Sequence, residues 1–194
     1  RGRKTRSHEA WYSKFRDSYK KSLTNDVSKF EFEQRKSLER ADRIIAVSLN
    51  TKNDLVNFWN INPDKISVIY HGVDKKKIDN LENERVTVSP YILYVGERNG
   101  FKNFLRFLNA FSIINKKYNE YKLVCTGRPF SNEESLTIEK LNLSKSIIQV
   151  SADERTLARL YRDAEMFVYP SLSEGFGMPV LESMVYGCPV VVSN

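Results

Sequence analysis

The chain has 194 residues, 41% hydrophobic and 28% charged, with a formal net charge of +7. That balance gives a folded globular chain of one large domain, or one domain plus part of another, and excludes an intrinsically disordered one. No apolar run approaches the roughly 20 residues that span a bilayer as a helix.

The opening stretch "RGRKTRSHEA" is basic without an apolar run behind it, so it does not read as a signal peptide. It lacks an initiator Met, and the last residues, "CPVVVSN", stop inside an apparent β-strand unit. The expectation is a fragment of a longer protein. Residues 1–21 hold eight Lys or Arg against Glu9 and Asp17, a net +6 of the whole +7. Trp11, Phe15 and Tyr19 recur every four residues, with Tyr12 beside them. On a helix they form one aromatic stripe bordered by cations. Packing on its own domain ranks first, an anionic membrane surface second, and nucleic acid last, since no nucleic-acid motif accompanies the charge.

From residue 43 the pattern is regular. "RIIAVS" (43–48) reads as a strand and "NTKNDLVNFWN" as a helix with Leu55, Val56 and Trp59 inward. "KISVIYHG" (65–72) reads as a second strand, and residues 74–90, polar and aperiodic, as a linker. After Pro90, "YILYVG", "KLVCTG", "SIIQVS", "MFVYPS" and "PVVVS" are strands. Between them lie the helices "FKNFLRFLNAFSIINKKY", with Phe104, Leu108, Phe111 and Ile114 inward, "NEESLTIEKLNL", "DERTLARLYRDA" and "GMPVLESMVYG". Apolar strands alternating with amphipathic helices predict an α/β fold, a doubly wound parallel sheet covered on both faces. Cys125 and Cys188 lie at or beside apolar strands and read as small buried hydrophobes. With no CxxC and only His8 and His71, neither a disulfide nor a metal site is expected, and the thiols suit a reducing cytosolic setting. His8 reads as solvated.

In such sheets ligands bind at the loops beyond the C-terminal ends of the strands. Those loops are "HGVD", "GERNGFK", "TGRP", "SADE" and "PSLSEGFGMP". Arg98 and Lys102 sit at or beside a helix N-terminus, where cations oppose the helix dipole unless an anion lies between them and the free N–H groups. A diphosphate is the natural anion; ordinary solvated side chains are the alternative. Gly175 and Gly177 let backbone approach a ligand at another helix start, with Pro179 near the favoured first position. A dinucleotide fingerprint places a third Gly where Val180 stands, so hydride transfer is rejected. Glu174 reads as either a crevice carboxylate or a turn residue. Glu182 reads as an acceptor for the two adjacent hydroxyls of a ribose or as a helix-surface glutamate. His71 reads as a structural turn residue.

The segments "ADRIIAVSLNTKNDLVNFWNINPDKISVIYHGVD", "YILYVGERNGFKNFLRFLNAF" and "LARLYRDAEMFVYPSLSEGFGMPVLESMVYGCPVVVSN" closely resemble the retaining GT-B glycosyltransferases of family 4 over roughly residues 33–194. The most specific element is EGFGMPVLE, with two glutamates in E-x7-E spacing. The resemblance implies Glu174 at the donor sugar and reacting centre, and Glu182 on the nucleotide ribose. It further implies Arg98 and Lys102 on the diphosphate, and Phe176, Gly177 and Met178 around phosphate or sugar. It implies no metal or other cofactor, and transfer with retention from a nucleotide-sugar to a glycan or lipid-linked acceptor. "KNF" leans toward GDP-mannose. Residues 1–74 resemble the tail of the acceptor domain, 75–90 a linker, and 91–194 a donor domain truncated at its end. The implied setting is cytoplasmic, with peripheral attachment at the inner membrane face. A nucleotide-sugar binding module without turnover and a GT-B-like epimerase are the alternatives.

Overall fold

The computed structural model describes residues 25–74 and 90–193. The basic aromatic segment and nearly all of the expected linker lie outside the described residues. The chain divides into two compact units between Ile69 and Tyr70.

In the first unit, helix α1 (Asn25–Arg40) precedes strand β1 (Ile44–Ala46), helix α2 (Leu49–Asn57) and strand β2 (Ile66–Val68). No element is expected from the sequence where α1 forms. β1 and β2 are parallel, Ile44 opposite Ile66. Ile44 and Ala46 point inward with Ile61 and Ile66, and partly buried Leu55, Val56 and Trp59 pack on them as expected. The strand expected over 65–72 is shorter. Ile69 N–H donates to Ala46 O, and β1 ends there, so the chain beyond has no ladder to join.

The second unit is a five-stranded sheet, β3 (Tyr91–Tyr94), β4 (Lys122–Thr126), β5 (Ile147–Val150), β6 (Met166–Tyr169) and β7 (Val190–Val192), in the order β5-β4-β3-β6-β7. Every pairing is parallel. Helices α3 (Phe104–Lys117), α4 (Asn132–Lys140), α5 (Glu154–Asp163) and α6 (Met178–Val185) make the crossovers. β3 is buried along its length because its residues alternate between two cores. Ile92 and Tyr94 join Phe104, Phe107, Leu108 and Phe111 of α3 and Ile138 of α4. Tyr91 and Leu93 join Leu160 and Tyr161 of α5, with Phe167 and Cys188. The sheet is therefore doubly wound, as the alternation of apolar strands and amphipathic helices implies.

Two details of α3 differ from expectation. Its inner face is Phe104, Phe107, Leu108 and Phe111, while Ile114 is 39% exposed. And "GFK" (100–102) is a separate 3-10 turn, cut from α3 by Asn103 at φ 59°. Asn tolerates this left-handed geometry better than most residues, and its side-chain N–H donates to Pro170 O at 3.1 Å.

Candidate functional site

From β3 the chain proceeds to β4 and β5 on one side, then returns to lay β6 and β7 on the other. The loops that leave β3 and β6 consequently diverge, opening a crevice at the C-terminal edge between them. These are the "GERNGFK" and "PSLSEGFGMP" loops. They are tied together by Asn103 to Pro170 and by Leu172 N–H to Phe101 O at 2.8 Å.

At this switch point Lys102 Nζ and Glu174 Oε1 are 2.6 Å apart, with side chains 19% and 23% exposed. The Tyr169 hydroxyl, at the end of β6, lies 3.5 Å from the same ammonium. Burial and its hydrogen bond with Glu174 hold the Tyr169 phenol well above its ordinary pKa. A lysine, a glutamate and a protonated phenol thus converge, the first two each about a fifth exposed to solvent.

The helices that start here differ from α2, α4 and α5. Ser48 caps α2, Ser131 caps α4 in a capping box, and Asp153 caps α5. Neither α3 nor α6 has a side-chain cap. Their first turns begin at Asn103 and Gly177, both in left-handed backbone, Gly177 at φ 91°. The uncapped N-terminal ends carry partial positive charge beside Lys102 and Glu174.

Arg98, expected beside Lys102 on a diphosphate, is placed differently from it. Its side chain is 0% exposed. Nε donates to Glu134 Oε1 at 3.1 Å, Nη1 to Thr126 O at 3.1 Å, and Nη2 to the carbonyls of Arg128 and Pro129. Phe130 and Phe104 flank the guanidinium at 4.8 and 5.6 Å. Arg98 therefore shapes the loop after β4 from beneath. Glu134 itself completes the capping box, accepting from Ser131 N–H at 2.7 Å. S-x-x-E announces that cap in the sequence, but nothing in it announces the arginine.

Glu182 lies about 6 Å along α6 from Met178, and its Oε2 accepts from the Tyr161 hydroxyl at 3.2 Å. The two glutamates therefore have separate partners. Phe176 is met by His71 edge-on at 5.3 Å and by Tyr70 at 6.2 Å, all within the second unit. Tyr161, Tyr169 and Glu134 escape a sequence reading because each fits a core or capping pattern that hides where its oxygen points. Among the described residues, no three His, Cys, Asp or Glu side chains group as metal ligands would, and no helix is long and apolar enough to cross a membrane.

A parallel, doubly wound, five-stranded domain of this kind is the arrangement of a Rossmann-like half of the GT-B fold. The profile of the glycosyl transferases group 1 family matches residues 75–194, and the chain belongs to that family. That of Glycosyltransferase Family 4 matches residues 6–77. The O-antigen chain mannosyltransferase RfbU of Salmonella typhimurium is 32% identical over 169 residues, which make up 85% of this chain and 46% of that protein. An N-acetylgalactosaminyltransferase of Campylobacter jejuni that acts on a diacetylbacillosaminyl diphospho-undecaprenol derivative is 27% identical, covering 80% of this chain and 42% of its own length. The chain thus spans about half the length of the curated relatives it matches. A crystal structure of a glycosyltransferase from Rickettsia africae superposes with a TM-score of 0.69 at 23% identity, over 89% of this chain and 48% of that one, and supports the fold.

Proposed function

We propose that this chain carries the donor-binding half of a retaining hexosyltransferase that moves a sugar from a nucleotide-sugar to a glycan or lipid-linked acceptor. The observation that carries the reading is the Lys102–Glu174 pair at the switch point between β3 and β6. Departure of a nucleoside diphosphate builds negative charge. The Lys102 ammonium and two uncapped helix ends stabilise that charge as it develops. Glu174, beside Lys102, is the carboxylate assigned to the donor sugar and reacting centre. Phe176, Gly177 and Met178 line the turn that opens α6, and Glu182 receives the ribose hydroxyls. Arg98 acts one step back, holding the loop after β4.

Mannosyltransferases among the similar proteins, RfbU and the O-antigen chain mannosyltransferase B of Escherichia coli, favour mannose as the hexose and GDP-mannose as donor. The Campylobacter jejuni relative, named for a diphospho-undecaprenol substrate, favours a lipid-linked acceptor. A cytoplasmic protein resting on the inner membrane face through residues 1–21 fits that acceptor. Neutralising Lys14, Arg16, Lys20 and Lys21 should then weaken binding to anionic liposomes, and unchanged binding counts against the attachment. The primary test is transfer by the full chain from a panel of nucleotide-sugars. Glu174→Ala should abolish transfer while keeping most nucleotide affinity. A full-length wild-type protein, acceptor half included, that binds nucleotide and transfers nothing would instead favour a binding module, and conversion of the sugar without acceptor an epimerase.

A further inference from the structure

We infer that Tyr161 is the positioning residue for Glu182: its buried hydroxyl fixes one carboxylate oxygen so that the other is presented to the nucleotide ribose. The inference rests on the reading of Glu182 as the ribose acceptor. Tyr161 is 1% exposed and sits on α5, whose inner face packs on the same side of the sheet as α6. Its ring is held edge-on by Phe167 of β6 at 5.4 Å and stacked by Tyr186, just past α6, at 6.0 Å and 9°. A ring gripped on two sides has little freedom to move its oxygen.

That oxygen is what calls for explanation. Phe would fill the same apolar space, and a buried hydroxyl is costly unless hydrogen-bonded. The hydroxyl meets Glu182 Oε2 at 3.2 Å, and among the described residues this is the one hydrogen bond of the Glu182 side chain. Burial and the neighbouring carboxylate keep the phenol protonated, so it remains a donor to Glu182. A glutamate has three side-chain torsions, and fixing them before the ligand arrives lowers the ordering cost of binding. The other oxygen is then set for the vicinal hydroxyls of a ribose.

The test separates a ribose-specific role from a structural one. Affinities of the full chain are measured for whichever of GDP, UDP and ADP binds most tightly, and for its 2′,3′-dideoxy counterpart, in wild type, Glu182→Ala and Tyr161→Phe. All measurements are made below the unliganded melting midpoint of each variant. A hydrogen bond to a charged group corresponds to about a tenfold to hundredfold preference for the ribose form in wild type. Glu182→Ala should abolish this preference. Tyr161→Phe should reduce it several-fold, through loss of ribonucleotide affinity alone. Equal weakening of both nucleotides by Tyr161→Phe, or a preserved ratio, overturns the positioning role. If Glu182→Ala leaves the ratio unchanged, or none of the three nucleotides binds, the ribose reading fails and the inference falls with it.

Discussion

Two ion pairs start from the loop after β3, four residues apart, and the difference between them separates architecture from chemistry. Arg98–Glu134 is closed, with side chains 0% and 5% exposed, and the guanidinium further engaged by three carbonyl groups. Lys102–Glu174 is shorter, at 2.6 Å, yet each member keeps about a fifth of its surface. A planar fork of five donors suits burial among carbonyls, whereas a compact ammonium on a flexible stem suits a partner that arrives and leaves. The first pair holds a loop, and on the proposed function the second exchanges Glu174 for a phosphate.

The comparison breaks most visibly at Arg98. Arg98→Met should destabilise the fold by about 3–5 kcal/mol in urea unfolding, because Glu134 is left as an unpaired buried charge. Lys102→Met should cost less than that, because Glu174, about a fifth exposed, keeps contact with solvent. Equal losses would erase the distinction. Next comes Glu174→Gln, which keeps the shape but removes the charge; turnover of the full chain should fall about 10²–10³-fold with little change in the melting midpoint. A smaller effect is expected at Glu182→Ala, a loss of about tenfold in nucleotide affinity with folding preserved.

The core offers a test by pH. Cys125 is 0% exposed, and burial pushes its thiol up from 9.0 to about 12. Because the folded state holds this proton longer than the unfolded one, its contribution is fully present below pH 9 and is lost as pH rises toward 12. The slope is about 1.4 kcal/mol per pH unit. Unfolding free energies of wild type and Cys125→Ala should therefore run parallel below pH 9 and converge above it. Parallel curves throughout would show that the thiol ionises in the fold as it does outside it.

Much of the fold was legible because its signals are local and periodic. The apolar runs of β3 to β7, the S-x-x-E cap of α4 and the Asp153 cap of α5 all speak through short spacings. The site was legible only where backbone chemistry marks it. "EGFGMP" announces a glycine turn into a helix, and Gly177 does adopt φ 91° there. Arg98 shows where local reading stops. Four residues before Lys102, it carries the same charge at the same helix start. Its direction is set by Glu134, 36 residues away, and by carbonyls of the loop after β4. Tyr161 fails for the same reason, since its aromatic ring satisfies the stripe of α5 and says nothing of an oxygen aimed at Glu182, 21 residues on.

The central claim is that the open pair, and not the closed one, meets the diphosphate. The most direct measurement is thermal shift of the full chain with GDP, UDP and ADP, in wild type and Lys102→Met. One nucleotide at a hundred times its dissociation constant should stabilise wild type by about 2.7 kcal/mol, and Lys102→Met should lose most of that gain while its unliganded midpoint stays close to wild type. A gain of the same size in both would contradict the account and move the diphosphate away from the crevice between β3 and β6.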